Sequence, residues 1–152
     1  MITYLNKTVG ELMTKEIISV SPVTIMTEVA DIFQQNSFHH IPVLSSEGHC
    51  VGVISKQDFC QLEDKFTLLN GSLTENKNER FFASLLAKDV MSKDVVSLEE
   101  DIEINDALKI FLKNKVHSIV VSKTGVCKGI LTPFDLLSYL NVILGSYQKA
   151  IV

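Results

Sequence analysis

Positive charge is scarce in this chain of 152 residues. Arg80 is its one arginine, and 14 Lys and Arg face 18 Asp and Glu, for a net charge of −4. That balance argues against a nucleic-acid partner held by phosphate neutralisation. A phosphate-bearing ligand would have to be held by local groups, against the field of the whole protein. Long apolar runs are also missing: none approaches the roughly 18 residues of a membrane span, so no membrane partner is expected. The first residues, Met1-Ile2-Thr3-Tyr4-Leu5-Asn6-Lys7, lack a basic stretch followed by an apolar core, and the expectation is no signal peptide. Cysteine is sparse. Cys50, Cys60 and Cys127 are odd in number and never spaced C-x-x-C, which fits a reducing cytoplasm.

What is present is a globular balance of 46% apolar and 21% charged residues, unlike that of a disordered chain. A chain of this length buries roughly two thirds of its unfolded surface, so it needs neither disulfide nor metal to fold. It suffices for one ordinary domain or two small ones.

The sequence repeats itself. Met13 overlays Met91, Ser19 overlays Ser97, and Ile32-Phe33 overlays Ile110-Phe111. In the same register Asn36 overlays Asn114, His39 His117, Ile41 Ile119 and Val43 Val121. Beyond Val43 the offset shrinks by one residue, and Gly48, Cys50, Gly52, Ser55 and Asp58 overlay Gly125, Cys127, Gly129, Thr132 and Asp135. The slip falls in a hairpin turn, where a deletion is tolerated. Two copies result, near 8–62 and 86–140, with 63–85 as a connecting segment and 141–152 as the end of a last helix and a tail.

Each copy reads as β-α-β-β-α. A short β-rich run opens it, Ile17–Val20 or Val95–Leu98. A helix follows: Ile104, Ala107, Leu108, Phe111 and Leu112 lie on one apolar face, and Val29, Ile32, Phe33 and Asn36 trace a weaker version in the first copy. Two strands, Ile41–Leu44 and Cys50–Ile54, flank a glycine-bearing turn. A final helix opens at Ser55 or Thr132, with Pro133 in its first turn, where a missing N–H costs nothing. Between the copies, Asn70–Asn78 reads as a loop, flanked by the apolar pieces Phe66–Leu69 and Phe81–Leu86, expected as helices. A 60-residue unit has a thin core, which favours two copies stacked as one pseudo-twofold domain.

Three segments recur in the same order: Val9-Gly10-Glu11-Leu12-Met13-Thr14, His39-His40-Ile41-Pro42-Val43 and Gly52-Val53-Ile54-Ser55-Lys56-Gln57-Asp58. Their counterparts are Ala87-Lys88-Asp89-Val90-Met91-Ser92, His117-Ser118-Ile119-Val120-Val121 and Gly129-Ile130-Leu131-Thr132-Pro133-Phe134-Asp135. The pattern resembles the tandem CBS-domain pair, or Bateman module, over nearly the whole chain. The resemblance implies a mixed α/β (α+β) fold of two such repeats packed with pseudo-twofold symmetry. It also implies a regulatory sensor rather than an enzyme, with adenine nucleotides or other adenosyl ligands in two clefts, and a homodimer. One cleft would use Ser55 and Asp58 with Val95, Val96 and His117. The other would use Thr132 and Asp135 with Ile17, Ile18 and His39; which histidine serves which cleft stays open. In the family the aspartate holds ribose hydroxyls, the Ser/Thr lies near phosphate and the early strand lies along the base.

The chemistry of the residues agrees. A helix N-terminus offers unpaired N–H groups and a positive dipole end to phosphate. A carboxylate accepts two hydrogen bonds from a vicinal diol. Gly52 and Gly129 permit close approach of a ligand or another backbone, and branched residues give an adenine ring an apolar wall. A plainer reading stands beside this one: S/T-x-x-D is also a helix N-terminal cap, and the two roles compete for the same oxygens. The histidines also fit as strand-boundary residues. Cys50 and Cys127 fit as small apolar filler, and His39, His40 and His49 lack the carboxylates of a metal site. Lys15, Lys56, Lys93 and Lys128 are candidates for phosphate contact. The second cleft is poorer in cations, because Pro133 and Phe134 replace Lys56 and Gln57. No catalytic residues and no required cofactor are expected. The output would pass to a regulated protein partner of unknown identity or to the dimer itself. The rival is a structural or interaction module with inactive ligand clefts.

Overall fold

A computed structural model describes residues 6–70, 80–114 and 116–150. The elements are, in order, helix α1 (Val9–Leu12), helix α2 (Met26–Gln35), strands β1 (His40–Leu44) and β2 (Cys50–Ser55), and helix α3 (Lys56–Asn70). Then come helix α4 (Ala87–Val90), strand β3 (Ser97–Glu99), helix α5 (Ile104–Asn114), strands β4 (Ile119–Lys123) and β5 (Val126–Leu131), and helix α6 (Pro133–Ala150). Helix and strand are mixed as expected. Residues 80–83 add a helical turn. Phe66–Leu69 continues α3 rather than forming a helix of its own, and the expected loop beyond Asn70, residues 71–78, lies outside the described residues.

Contacts divide the chain into two compact units that do not follow the sequence repeats. One is Ile18–Val95; the other joins the chain up to Ile17 to the chain from Val96 onward. Each unit therefore contains the leading segment of the opposite repeat. In the first, Val20, Met26, Val29, Phe33, Ile41, Val43, Ile54 and Phe59 bury against Phe82 and Ala87. Phe82 stacks on Phe59 with ring centroids 5.1 Å apart. In the second, Ile104, Ala107, Ile119, Val121 and Leu131 bury against Val9 and Met13.

The sheets show the same exchange. β1 and β2 pair antiparallel, Val20 bridges in parallel to Val43 on one side, and Ser92 bridges antiparallel to Val53 on the other. In the second unit β3 runs parallel to β4 and β4 antiparallel to β5, and Thr14 bridges antiparallel to Ile130. Gly52 and Gly129 sit where these leading segments cross. A Cβ on Gly52 would lie 2.4 Å from Met91 Sδ, and one on Gly129 would lie 2.5 Å from the Thr14 carbonyl oxygen.

Three expectations are corrected. The early strand of the first copy, Ile17–Val20, contracts to the single bridge at Val20, and that of the second copy shifts to Ser97–Glu99. Proline explains the contrast. The Val120 N–H donates to the Val96 carbonyl at 2.9 Å, but the matching Pro42 has no N–H to offer Ile18. Leu112, expected on the apolar face of α5, is 81% exposed. The face is narrower than its periodicity implied, and only Ile104 and Ala107 are fully buried on it.

Candidate functional site

Both long helices after the hairpins begin at a hydroxyl–carboxylate pair. Gly52-Val53-Ile54 carries β2 to Ser55, and α3 starts at the next residue. Ser55 Oγ accepts the Asp58 N–H at 3.0 Å and donates to Asp58 Oδ2 at 2.5 Å. The Lys56 N–H donates to the His39 carbonyl at 2.8 Å. His39 thus serves this helix start through its backbone, and its side chain is exposed. Lys56 Nζ reaches the Phe33 carbonyl at 3.5 Å, at the C-terminal end of α2.

The second pair is more tightly closed. The Thr132 N–H and Thr132 Oγ1 both donate to Asp135 Oδ2 at 2.7 Å. Thr14 Oγ1 donates to the other oxygen, Asp135 Oδ1, at 3.0 Å. Asp58 receives a single side-chain donor among the described residues.

A cleft of about 510 Å³ opens beside Asp58. Asp58, Gln61 and Lys65 of α3 line it with Phe81, Asp89 and Ser92. The Asp89 carboxylate caps α4, accepting the Leu86 N–H at 3.0 Å. Sequence reasoning gave a ligand role to Asp58 but not to the other residues of this cleft, nor to Thr14. Thr14 and Ser92 close the first recurring segment of each copy and occupy matching positions there, and that correspondence was the available signal.

The remaining expected residues are distributed as follows. Val95, Ile18 and His39 share the unit of Ser55 and Asp58, whereas Ile17, Val96 and His117 share the unit of Thr132 and Asp135. Val96 packs partly against the core of its unit, which limits what it can offer a ligand. Val95 and Ile17 are half-buried, Ile18 is 42% exposed, and His117 is exposed. Cys50 and Cys127 are half-buried, and burial pushes the Cys127 thiol up from its ordinary value, as suits filler rather than a nucleophile. Lys15, Lys93 and Lys128 are exposed. Among the described residues no group of three or more His, Cys, Asp or Glu could hold a metal ion, and no helix is long and apolar enough to cross a membrane.

A scaffold that presents a glycine, a hydroxyl and a carboxylate in the same order at two helix starts is a tandem repeat module. The CBS domain family model matches residues 9–64 and 87–142, and the chain belongs to that family. It is 30% identical over 132 residues to inosine-5'-monophosphate dehydrogenase of Methanocaldococcus jannaschii, covering 86% of this chain and 23% of the dehydrogenase. The chain spans less than two thirds of the length of this and two further archaeal relatives. Its fold is that of the crystal structure of CBSX2 in complex with AMP, with a TM-score of 0.73 and 21% identity, covering 90% of this chain and 98% of CBSX2. It is likewise that of the CBS domain pair of MJ0100 in complex with 5'-methylthioadenosine and S-adenosyl-L-methionine, at TM-score 0.66 and 19% identity, covering 89% and 96%.

Proposed function

We propose that the chain is a regulatory module that binds an adenosyl ligand and transmits its occupancy by a shift in conformation. The observation that carries this reading is the hydroxyl–carboxylate pair at the start of α3 and again at the start of α6. In each pair the hydroxyl sits beside the positive end of a long helix, suited to a phosphate group. The carboxylate is suited to the two hydroxyls of a ribose. Solved structures of this fold hold AMP in one case and methylthioadenosine with S-adenosylmethionine in another, which supports an adenosyl ligand. Within their own units, Ser55 and Asp58 would act with Val95, and Thr132 and Asp135 with Ile17. A ligand that prefers one conformation shifts the population toward it. No residue is assigned a catalytic role.

Self-association fits the same reading. Phe134, Leu137, Leu140 and Leu144 form an apolar row along α6 and are 75%, 63%, 48% and 55% exposed. Isolated exposed apolar residues are ordinary, but a row along one helix marks an interaction surface. A second copy of the chain is the occupant this reading assigns. Three cysteines, odd in number and never spaced C-x-x-C, suit a reducing compartment such as the cytoplasm.

Titration calorimetry of the nucleotide-free protein with AMP, ADP, ATP and S-adenosylmethionine tests the proposal. Saturable binding of at least one is expected. No heat with any of them, from folded protein, leaves a structural module as the better description.

A further inference from the structure

We infer that the two matching carboxylates are inequivalent: Asp58 is the one open to ligand, and the Thr14 hydroxyl latches Asp135 shut. The inference rests on the adenosyl-binding reading and names the site within it. A carboxylate that grips a vicinal diol needs two open acceptor positions among the roughly four on its oxygens. Asp135 has filled three of its roughly four acceptor positions: Oδ2 takes the N–H and the hydroxyl of Thr132, and Oδ1 takes the hydroxyl of Thr14. Among the described residues Asp58 has committed only Oδ2, to Ser55, and it borders the open cleft of about 510 Å³.

The latch is built into the backbone. The Thr14 N–H donates to the Ile130 carbonyl at 2.9 Å, and the Thr14 carbonyl accepts the Ile130 N–H at 3.1 Å. Gly129 lets this segment approach, since a Cβ there would strike the Thr14 carbonyl oxygen. Held at both backbone groups and restricted at χ1 by its β-branch, Thr14 presents its hydroxyl at little entropic cost. Ser92 is anchored to Val53 in the same way, at 3.0 and 2.9 Å. Its hydroxyl nevertheless makes no bond to Asp58 among the described residues, and serine lacks the branch that would fix it. A diol's two hydroxyls find one open position at Asp135, so one of them must displace a charge-assisted hydrogen bond, and at Asp58 neither need do so. One such bond is worth about 1.5–3 kcal/mol, a factor of roughly ten to a hundred in affinity.

The test is binding stoichiometry by calorimetry with AMP and with S-adenosylmethionine, on the intact chain and on Thr14→Val, Thr14→Ser, Asp58→Asn and Asp135→Asn variants. The intact chain is expected to bind one equivalent per chain tightly. Asp58→Asn removes it and Asp135→Asn leaves it. Thr14→Val, close in shape but without the hydroxyl, gains a second equivalent, whereas Thr14→Ser stays at one. Two equal equivalents in the intact chain, or tight binding lost with Asp135→Asn and kept with Asp58→Asn, overturns the inference and leaves the adenosyl reading standing. No binding by either the intact chain or Thr14→Val overturns both.

Discussion

Gly52 and Gly129 occupy matching positions, yet a methyl group meets different obstacles at each. At Gly52 the nearest atoms belong to the Met91 side chain, and at Gly129 the nearest is the Thr14 carbonyl oxygen. A thioether chain can swing aside, but a backbone held by two ladder bonds cannot. Gly129→Ala is therefore expected to cost about 2–3 kcal/mol and Gly52→Ala about 1 kcal/mol, measured by urea denaturation. Equal losses would show that the two crossings are equally soft. Ser55→Ala is expected to cost about 1 kcal/mol as a lost helix cap and, on the proposed function, to weaken nucleotide binding as well. The glycines and the Ser/Thr-x-x-Asp pairs were legible in the sequence because each is a short local pattern that occurs twice. The Thr14–Asp135 bond was not, because it joins residues far apart in the chain and depends on how a leading segment crosses a sheet.

The two hairpins are held by different means. In the first, Ser45 Oγ accepts the Glu47 and His49 N–H groups, so the turn caps itself. In the second, Thr124 and Gly125 both adopt positive φ, 50° and 81°, a strained choice for a β-branched residue. The Glu99 carboxylate secures it by accepting the Thr124 N–H at 2.8 Å, the Ser122 hydroxyl at 2.9 Å and the Gly125 N–H at 3.3 Å. Those donors, the Thr124 N–H first, hold Glu99 below its ordinary value of 4.5. Folded Glu99 therefore keeps its charge to lower pH than the unfolded residue does. Its contribution to stability is complete above the ordinary value and is lost as pH falls through the folded value. Glu99→Gln is expected to flatten the acid limb of the stability profile, read from urea midpoints. Superimposable acid limbs would refute the clamp. Strand and helix identities on either side of these turns were legible from period and glycine placement. The early strand of the first copy was misplaced because a parallel bridge depends on the partner's N–H, and Pro42 removes it.

The repeat was visible in the sequence, but the folded units were not, since similarity fixes the length of a repeat and leaves its phase open. Val9 and Met13 read as the start of one copy and are buried in the core of the other unit, with Ala87 the mirror case. Self-association through α6 predicts that Leu137→Asp combined with Leu144→Asp lowers the sedimenting mass to that of one chain while the circular dichroism spectrum is kept. An unchanged mass would place any dimer elsewhere. The central claim, that Asp58 holds the ribose of an adenosyl ligand, is tested most directly by equilibrium dialysis. AMP and its 2',3'-dideoxy counterpart would each be dialysed against the intact chain and against Asp58→Asn. The account predicts that the intact chain prefers AMP roughly tenfold or more, as expected when a carboxylate–hydroxyl bond is lost, and that Asp58→Asn abolishes the preference. Equal retention of the two nucleotides by the intact chain, or a preference that survives Asp58→Asn, would contradict it.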